Sequence, residues 1–565
     1  MPDHIPVATY LALRLQQLGV DHLFGLPGDY NLGLLDALLA DSTLQWVGAA
    51  NELNAGYAAD GYARVRGLGV VVTTYGVGEL SAINAIAGSF AESVPVLQLT
   101  GSPDSAVARR GAMVHHTLAD GDFQHFLRAY QEVTASAEIL TPSAAHTQID
   151  RALTTALDNL QPVYLSVPTD LVHTLVPSSP LRLPLPRRHS DQQSLAAFGR
   201  DLRARLAADD DEVTLLAGNL LERRGLQPTV RRIADTGRVT VAALTAGKGI
   251  LDENHPAAAG TYCGVMTPSE HTRQAVEKSP HLIVAGAVLS DMVTGLFSHS
   301  IGSDQAVFLD LHRARLGGTT YEGIELDDAM SALADAVDER RESPRPVSST
   351  TQRPRPRHAS DDDDRPLTQD ALWSAVQDWI APDTYVLADV GTAFYGAAAL
   401  ALPPGCSLQG QPTWSSIGYT LPALLGSQLA QPERPALLII GDGAAQLTVQ
   451  ELGTILHRRL TPVILLLNNA GYTVERAIRE PDSDYHDIVP WQWTSLPAAL
   501  GGQEHALTLT VRTPDELRSA LRQARTEGQE QGRASLIEVH LDRFDTPPLL
   551  TSLTRDLDTA RRGPT

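Results

Sequence analysis

The feature that most constrains the fold is a pair of short apolar runs separated by a helix-like stretch. The runs are ALLII (436–440) and VILLL (463–467), and residues 446–458 between them predict a helix. A strand, a helix and a second strand in this order predict a βαβ unit with parallel strands. Parallel strands end at the same edge of a sheet, so the residues that follow the two runs are expected to meet there.

Those residues are small and polar: Gly-Asp-Gly (441–443) follows the first run and Asn-Asn (468–469) follows the second. Asp442 and Asn469 are therefore predicted to lie side by side. A carboxylate, an amide oxygen and a neighbouring carbonyl suit Mg2+ whose shell is completed by phosphate oxygens. Gly441 and Gly443 lack the Cβ atoms that keep backbone N–H groups away from a phosphate. A tight turn followed by a strand end would explain the triplet alone, but the spacing and the βαβ setting favour a metal-bound diphosphate.

The composition excludes several classes of protein. The chain has 565 residues, too many for one core, so two to four domains are expected. Its formal net charge of −22 argues against nucleic acid and anionic membranes as partners. Cys263 and Cys406, the two cysteines, provide neither a disulfide framework nor a cysteine metal site. No signal peptide and no membrane-spanning run is indicated, so a cytoplasmic protein is expected.

Three blocks with an α/β rhythm follow one another along the chain. The fold class is therefore predicted as α/β, with three doubly wound parallel-sheet domains covered by helices on both faces. The domains are expected at 1–188, 189–340 and 367–565, and the proline-rich, charged residues 341–366 predict an exposed linker. Outside the βαβ unit, strands are expected within residues 67–76, 94–101, 162–170 (the last of its block), 212–218, 239–244, 281–291 and 306–312.

A second unusual segment is VGAANELNAGYAADGYAR (47–64), in which Glu52 opens a helix of small residues. Alanine and glycine on this helix are expected to let a neighbouring element pack closely. Taken alone, the carboxylate is explained as a first-turn residue that the helix dipole favours.

Glu52, a middle α/β block and the Gly-Asp-Gly to Asn-Asn spacing together resemble the thiamine-diphosphate enzymes over roughly residues 5–550, the linker excluded. Within that superfamily the chain resembles the pyruvate decarboxylase family, and it is most similar to the bacterial indolepyruvate and phenylpyruvate decarboxylase branch. The motifs that carry this resemblance are FGLPGDYNL (24–32), TTYGVGELSAINAIAGSFAE (73–92), VHHTLADGDFQHF (114–126), GKGILDENHP (247–256), GDGAAQLTVQELG (441–453) and NNAGYTVERAI (468–478). The resemblance identifies the three domains as pyrimidine-binding, middle and diphosphate-binding.

The resemblance implies non-oxidative decarboxylation of a 2-oxo acid to an aldehyde and CO2, by way of a thiamine diphosphate ylid and an enamine. Side chains do not stabilise the acyl carbanion that loss of CO2 leaves, so a cofactor is required as electron sink. Glu52 is implied to hydrogen-bond the aminopyrimidine ring and to promote removal of the thiazolium C2 proton. Ile417 is implied to be the apolar wedge that folds the cofactor, and the backbone groups of Ser415 and Ile417 to bind the pyrimidine. Relatives usually have glycine at the position of Ser415.

Magnesium is implied to be held by Asp442, Asn469 and the carbonyl group of Gly471. The other residues that the resemblance places beside the cofactor are Thr392, Gly441, Gly443, Ala444, Ala445, Tyr472 and Thr473.

Proton transfer is implied to involve Asp29, His115, His116 and Glu475. Carboxylates and imidazoles clustered in a dry cleft are expected to have displaced, coupled pKa values. Similar enzymes assemble the site from the first domain of one subunit and the third domain of its partner. A homodimer is therefore expected as the minimum active unit, and a homotetramer as the usual form.

Two other functions are compatible with the fold: an acetolactate-synthase-like carboligase and a catalytically silent scaffold. The adjacent histidines favour the decarboxylase over the carboligase, and the retention of Glu52 and of the metal ligands argues against the scaffold. For the substrate, Phe394 resembles the small-pocket, pyruvate-preferring form, whereas Val474 and Met292 favour a roomier pocket. An aromatic or branched 2-oxo acid, such as phenylpyruvate or indolepyruvate, is therefore expected to be preferred to pyruvate.

Overall fold

The computed structural model describes residues 2–40, 42–302, 306–340 and 365–562. Residues 341–364 of the predicted linker thus lie outside the described residues. The strands are β1 (His4–Pro6), β2 (His22–Gly25), β3 (Gln45–Gly48), β4 (Gly69–Thr74), β5 (Val96–Ser102), β6 (Ser136–Ile139), β7 (Val163–Pro168), β8 (Leu175–Pro177), β9 (Val213–Ala217), β10 (Val239–Leu244), β11 (Ala258–Tyr262), β12 (His281–Ala285), β13 (Val307–Leu309), β14 (Arg313–Leu316), β15 (Thr319–Glu322), β16 (Tyr385–Ala388), β17 (Ser407–Gln409), β18 (Ala436–Gly441), β19 (Val463–Asn468), β20 (Ala506–Val511) and β21 (Ala534–His540).

The α-helices alternate with these strands through most of the chain. They are α1 (Val7–Gln17), α2 (Leu32–Leu39), α3 (Glu52–Arg66), α4 (Val77–Ala91), α5 (Ser105–Arg109), α6 (His125–Gln131), α7 (Ala145–Asn159), α8 (Gln192–Leu206), α9 (Asn219–Arg223), α10 (Gln227–Asp235), α11 (Glu270–Glu277), α12 (Leu326–Asp338), α13 (Gln369–Trp379), α14 (Thr392–Ala398), α15 (Thr420–Ala430), α16 (Asp442–Thr448), α17 (Glu451–His457), α18 (Thr473–Ile478), α19 (Leu496–Ala499), α20 (Pro514–Gln523) and α21 (Pro548–Arg562).

The chain forms two compact units. The first contains the residues up to Arg187, together with Trp414–Glu433 and Thr448–Leu460. The second contains Arg188–Thr413, Arg434–Leu447 and the residues from Thr461 onward. The first break lies at Arg187, beside the predicted boundary at 188, and two segments of the predicted third domain group with the first unit. Contiguous sequence domains therefore do not describe the packing completely.

In the first unit, β2 to β7 form a parallel sheet in the order β3-β2-β4-β5-β7-β6. Every residue of β4, β5 and β7 is buried, because helices cover both faces of the sheet. The strand predicted within 162–170 is the last of this sheet but not of the block. After it the chain returns along the N-terminus, where β8 pairs antiparallel with β1.

Close helix packing in the first unit follows from the small residues of α3. A Cβ atom built on Gly61 would lie 2.1 Å from the carbonyl oxygen of Ala423 in α15, and one on Gly426 would lie 1.8 Å from the carbonyl oxygen of Ala58. On another side, a Cβ on Gly56 would lie 2.5 Å from that of Ala85 in α4. The expectation that this helix admits close neighbours is confirmed.

The second unit contains two sheets. The middle sheet has the order β11-β10-β9-β12-β13-β14-β15, and the last sheet is parallel with the order β17-β16-β18-β19-β21-β20. The α/β fold with three helix-covered sheets is confirmed, but the middle sheet is mixed: β14 runs antiparallel to both of its neighbours, β13 and β15. Short turns rather than helices connect β13, β14 and β15, and tight turns join only antiparallel neighbours.

The predicted βαβ unit is present, but its helix is not the single element expected at 446–458. α16 begins earlier, at Asp442, and the chain turns at 449–450 before α17. The hydrogen bond from Leu452 N to the carbonyl oxygen of Val449 closes this turn. The early start puts Asp442 in the first turn of a helix, where the dipole favours a negative charge.

The C-terminal helix α21 packs within the second unit, on α14 and α18. Its residues Leu549, Leu550 and Leu553 share an apolar cluster with Cys263 and Met266. Within the described residues, no helix is both long and apolar enough to cross a membrane.

Candidate active site

Asp442 and Asn469 lie side by side at the carboxyl edge of the last sheet, as the strand order predicted. β18 and β19 are parallel neighbours, with Gly441 opposite Leu467. The amide group of Asn469 comes within 3.2 Å of Asp442 Oδ1 and within 2.8 Å of the carbonyl oxygen of Gly471. The three residues predicted to hold a metal ion are thus brought together.

The amide of Asn469 fits this cluster in two orientations, with and without a cation. With the amide oxygen turned toward the other two oxygens, three acceptors face one another and no proton lies between them. With the amide reversed, its nitrogen donates to both oxygens and its oxygen accepts from Thr473 Oγ1 at 3.0 Å. The first orientation needs a cation among the oxygens, and hard oxygen donors suit Mg2+. The residues present therefore fit a divalent cation.

The electrostatics of Asp442 agree with this interpretation. Its side chain is 1% exposed, and burial raises the pKa of its carboxyl group to about 6. Hydrogen bonds from the backbone N–H groups of Gly443 (2.8 Å) and Gly471 (3.3 Å) to the carboxylate act in the opposite direction. A buried carboxylate without a counter-charge is costly, and a bound cation would stabilise its ionised form.

The loop after Asn469 is held by Arg476, which the sequence analysis did not identify. Arg476 is 2% exposed, forms an ion pair with Asp487 and donates to the carbonyl oxygens of Ala470 and Pro481. Ala470 has a left-handed backbone, with φ of 58°. An arginine within the short helix that follows the loop gives no pattern that marks it as the support of that loop.

The two glycines of the Gly-Asp-Gly triplet have different surroundings. A Cβ atom on Gly443 would lie 2.6 Å from Tyr472 Cε1, so this glycine is required by packing within the protein. A Cβ on Gly441 would meet no atom within 4 Å. The space beside Gly441 is therefore open to a ligand such as a diphosphate.

The other residues expected beside the cofactor lie at helix starts of the second unit. Thr392 begins α14, Ala444 and Ala445 are buried in the first turn of α16, and Thr473 begins α18. Helix N-termini present free N–H groups, which suits an anion.

Glu52 lies in the first unit, at the start of α3. Asn51 caps the helix by accepting from Asn54 N at 2.8 Å. Glu451, which is fully buried, accepts from Ala50 N and from Asn54 Nδ2, both at 3.1 Å. Glu451 thus fixes the entry to the helix, and the sequence analysis missed it because its partners lie about 400 residues away.

The loop that carries Ser415 and Ile417 is also fixed to α3. Ser416 Oγ lies 2.6 Å from the hydroxyl group of Tyr57, and the hydroxyl group of Tyr419 donates to Asp60 at 2.6 Å. Ser415 has φ of 57°, the left-handed conformation that glycine adopts more easily. Serine adopts this backbone conformation at a cost, which agrees with the expectation that glycine suits the position.

Asp29, His115 and His116 form one cluster in the first unit, with ligand-type atoms all within 4.8 Å of one another. His115 Nε2 lies 2.6 Å from Asp29 Oδ2. The ring of Tyr30 stacks on His115, with centroids 4.9 Å apart. His116 Nδ1 is buried and makes no hydrogen bond in the part of the chain that the structure describes. The cluster has the acid and base groups that proton transfer needs.

The predicted substrate-pocket residues fall into two groups. Met292 and Val474 pack against one apolar cluster, together with Tyr395 and α21, and the hydroxyl group of Tyr395 lies 3.8 Å from Met292 Sδ. Phe394 lies instead in the core of the last sheet, packed against Gly410. Successive residues of a helix point in different directions, which is why Tyr395 and not its neighbour Phe394 packs with Met292. Glu475, exposed in the first turn of α18, contributes with its charge to the raised pKa of Tyr395, whose main cause is burial.

The structure therefore brings the predicted residues together in two sets. Glu52, Asp29, His115, His116, Ser415 and Ile417 belong to the first unit. The metal-site residues, Glu475 and the pocket residues belong to the second.

Family models of the thiamine pyrophosphate enzymes match three parts of the chain: the N-terminal TPP binding domain at residues 5–125, the central domain at 204–333 and the C-terminal TPP binding domain at 389–539.

Curated relatives match almost the whole chain. An alpha-keto-acid decarboxylase of Mycolicibacterium paratuberculosis is 43% identical over 97% of this chain and 96% of its own length. The alpha-keto-acid decarboxylase of Mycobacterium ulcerans is 43% identical over 99% and 97%, respectively. That of Mycobacterium tuberculosis is 43% identical over 97% and 96%. The chain therefore belongs to the thiamine pyrophosphate enzyme family, among its thiamine-dependent decarboxylases of 2-oxo acids.

Proposed function

We propose that this enzyme decarboxylates aromatic and branched 2-oxo acids, with phenylpyruvate or indolepyruvate ahead of pyruvate, and that it requires Mg2+. The observation that carries the substrate preference is the apolar cluster of Tyr395, Met292 and Val474, from which Phe394 is absent. The oxygen cluster at Asn469 supports the metal requirement.

The cofactor supplies the electron sink for the carbanion that remains when CO2 leaves. Asp442, Asn469 and the carbonyl group of Gly471 would hold Mg2+ against its diphosphate. Ser415 and Ile417 would orient the pyrimidine ring, and the Tyr57–Ser416 and Asp60–Tyr419 hydrogen bonds keep their loop in place.

Different titratable side chains would carry out the proton transfers to the cofactor and to the product. Glu52, held by the capped start of α3, would exchange a proton with the pyrimidine ring. His115, oriented by Asp29, and His116 would protonate the carbon atom that has lost CO2 and assist release of the aldehyde. Glu475 would assist the loss of CO2 and the protonation that follows.

The apolar cluster of Tyr395, Met292 and Val474 favours a broad range of substrates over strict selection of one. Met292 has three rotatable bonds and a polarisable sulfur atom, so it adapts to several substrate shapes. Each ring or methylene contact is worth only about 1–3 kcal/mol, which predicts graded rather than absolute selectivity.

The decisive experiment compares kcat/KM for pyruvate, 2-oxoisovalerate, phenylpyruvate and indolepyruvate. The aromatic acids are expected to be the better substrates, and Tyr395→Phe to change the ranking more than Phe394→Leu, which serves as the matched core control. A tenfold advantage for pyruvate would refute the proposed preference. Formation of acyloin instead of aldehyde would refute decarboxylation as the main reaction and indicate the carboligase.

We also propose a cytoplasmic enzyme with a homodimer as its minimum active unit, and a homotetramer as its usual form. Large apolar side chains exposed on the first unit support self-association: Val77 and Leu80 of α4, and Trp414. Light scattering with size-exclusion chromatography measures the assembly, and an active monomer would contradict it.

A further inference from the structure

We propose that Glu79 is a positioning residue that holds the first turn of α4 against His116 and Glu52, and that its ionisation controls how firmly this turn is held. The inference rests on the proposed function, because it assumes that these two residues take part in catalysis. Glu79 itself touches neither substrate nor cofactor in the roles assigned above.

Glu79 is a fully buried carboxyl group whose two oxygens have separate partners. Oε1 accepts from Gly76 N and Oε2 accepts from the hydroxyl group of Tyr164, each at 2.7 Å. The backbone carbonyl oxygen of Glu79 accepts from the hydroxyl group of Tyr130, also at 2.7 Å. The glutamate at the third helical position thus satisfies the N–H group of the N-cap residue, as in half of a capping box.

Gly76, which Glu79 holds, packs directly on the backbone of His116. A Cβ atom on Gly76 would lie 2.0 Å from the carbonyl oxygen of His116, and Gly76 has φ of 65°. His116 has φ of 59°, a left-handed conformation that a histidine keeps only when its surroundings impose it. The Gly76 turn is one of those surroundings.

The same turn also contacts Glu52. A Cβ atom on Gly78, one residue before Glu79, would lie 3.3 Å from Glu52 Oε1. The N-terminus of α4 therefore faces a carboxylate that its dipole favours. A shift of this turn would move the surroundings of both catalytic residues together.

An aromatic cluster extends the contact to His115. Tyr75 donates to the carbonyl oxygen of Phe123 at 3.1 Å and packs edge-on against Phe126 and Tyr30. The ring of Tyr30 stacks on His115. Gly76 thus contacts His116 directly, and Tyr75 reaches His115 through the ring of Tyr30.

The charge of Glu79 affects this turn because the site is dry. Burial raises the pKa of Glu79 to about 7, and the hydrogen bonds from Gly76 and Tyr164 oppose that rise. An ionised carboxylate accepts from both donors, whereas a protonated one must use one oxygen to donate. The turn is therefore held more firmly as the pH rises through about 7.

Other titratable groups face this region from the neighbouring elements. They are the phenols Tyr75, Tyr130 and Tyr164, the carboxyl groups Glu52 and Asp60 of α3, Asp120 and Asp122 in the loop before α6 with their partners His125 and Arg128, and the imidazoles His115 and His116. The tyrosines have raised pKa values and stay neutral in this range, and the pKa values of Asp120 and Asp122 are lowered by hydrogen bonds, to His125 and Arg128 first. Among the groups of this set whose pKa is displaced, Glu79 is the one with a value near neutrality, about 7.

The test uses the full chain with thiamine diphosphate and Mg2+, assayed with its best 2-oxo acid. Glu79→Ala removes the support of Gly76, Glu79→Gln keeps the shape without the charge, and Tyr164→Phe removes one donor. Glu132→Gln, an exposed carboxylate at the end of α6, is the matched control. Glu79→Ala is expected to lower kcat about 10²-fold with little change in KM, the effect of a misplacement of about 1 Å.

The pH profile distinguishes positioning from simple structural support. Wild-type kcat is expected to fall as the pH drops through about 7, and this step should be absent in Glu79→Gln. In Tyr164→Phe the step should move to higher pH, because the carboxylate loses a hydrogen bond that favours its ionised form. A Glu79→Gln profile identical to that of the wild type would overturn the inference, and so would a shift of equal size in the control.

A second readout needs no activity. Amide hydrogen exchange of residues 113–118, measured without cofactor, is expected to be faster in Glu79→Ala and unchanged in Glu132→Gln. Unchanged exchange would overturn the inference even if kcat fell. If the wild type decarboxylates no 2-oxo acid, the proposed function fails while the exchange experiment still decides the role of Glu79. Should Glu79→Ala not fold, Glu79→Gln and Tyr164→Phe are measured in its place.

Discussion

At the scale of single residues, the site depends on carboxyl groups that have been removed from water. Asp442 and Glu79 are both buried, and burial raises the pKa of each, to about 6 and about 7, respectively. They differ in their partners. Asp442 faces the oxygens of Asn469 and Gly471 and fits a cation, whereas Glu79 faces N–H and O–H donors of the protein. Burial of a carboxyl group thus suits cation binding at Asp442 and the positioning of the first turn of α4 at Glu79.

Replacing Glu52 should abolish turnover without preventing cofactor binding. Glu52→Gln keeps the size of the side chain but does not transfer the proton, and acid–base catalysis is typically worth roughly 10²–10⁴-fold. We expect kcat to fall by that factor, while calorimetry shows thiamine diphosphate and Mg2+ still bound. Near-normal turnover would remove Glu52 from its assigned role.

Replacing Asp442 should act on binding instead. Asp442→Ala removes one of three oxygens that would hold Mg2+ against the diphosphate, so tight cofactor binding is expected to be lost. Isothermal titration calorimetry with Mg2+ present measures the loss. Asp482→Ala, an exposed carboxylate of the same unit, is the control and should bind normally. Equal affinity of the two variants would contradict the metal site.

The pKa of Glu79 also predicts how stability depends on pH. Its folded-state value of about 7 lies above the ordinary value of 4.5, so the folded protein retains a proton that the unfolded chain releases between these values. Stability is therefore lost as the pH rises through this window, by at most about 3 kcal/mol. Urea unfolding should show Glu79→Gln gaining stability relative to the wild type between pH 5 and pH 8. A constant difference would mean that Glu79 does not titrate there.

At the scale of elements, α3 combines two tasks. Its first turn presents Glu52, and its flank holds the loop of Ser415 and Ile417 through Tyr57 and Asp60. Its small residues make this possible, because they bring the backbones of α4 and α15 close to it. A helix chosen for stability alone would carry larger apolar side chains on these faces.

This packing predicts that a glycine-to-alanine substitution destabilises the protein in α3 and stabilises it in α2. Gly61→Ala in α3 would place a Cβ atom 2.1 Å from the carbonyl oxygen of Ala423, and overpacking of this kind costs roughly 1–3 kcal/mol or more. Gly33→Ala in α2 meets no atom within 4 Å and should stabilise by about 0.4–1 kcal/mol. Denaturant unfolding of both variants measures the difference. Equal stabilities would show that α3 and α15 can separate at no cost.

At the scale of the whole molecule, the predicted domains are consecutive along the chain, whereas the compact units of the structure are not. The sequence shows three consecutive blocks, and each forms its own sheet. The packing units are instead discontinuous, since α15 and α17 leave the third block and join the first unit. Local patterns identify sheets, but they do not show which sheet a connecting helix will cover.

The sequence by itself determined what depends on neighbours along the chain. Apolar runs separated by a helix specify parallel strands, and parallel strands place Asp442 beside Asn469 without further information. The tertiary structure alone decided what depends on the direction of a side chain or on distant partners. Tyr395 rather than Phe394 joins Met292, and Glu451 supports α3. Arg476 holds the loop after Asn469, and Glu79 holds Gly76, which packs on His116. The reason is physical: a β-strand order follows from local connections, whereas a buried contact is formed by residues that only the folded chain brings together.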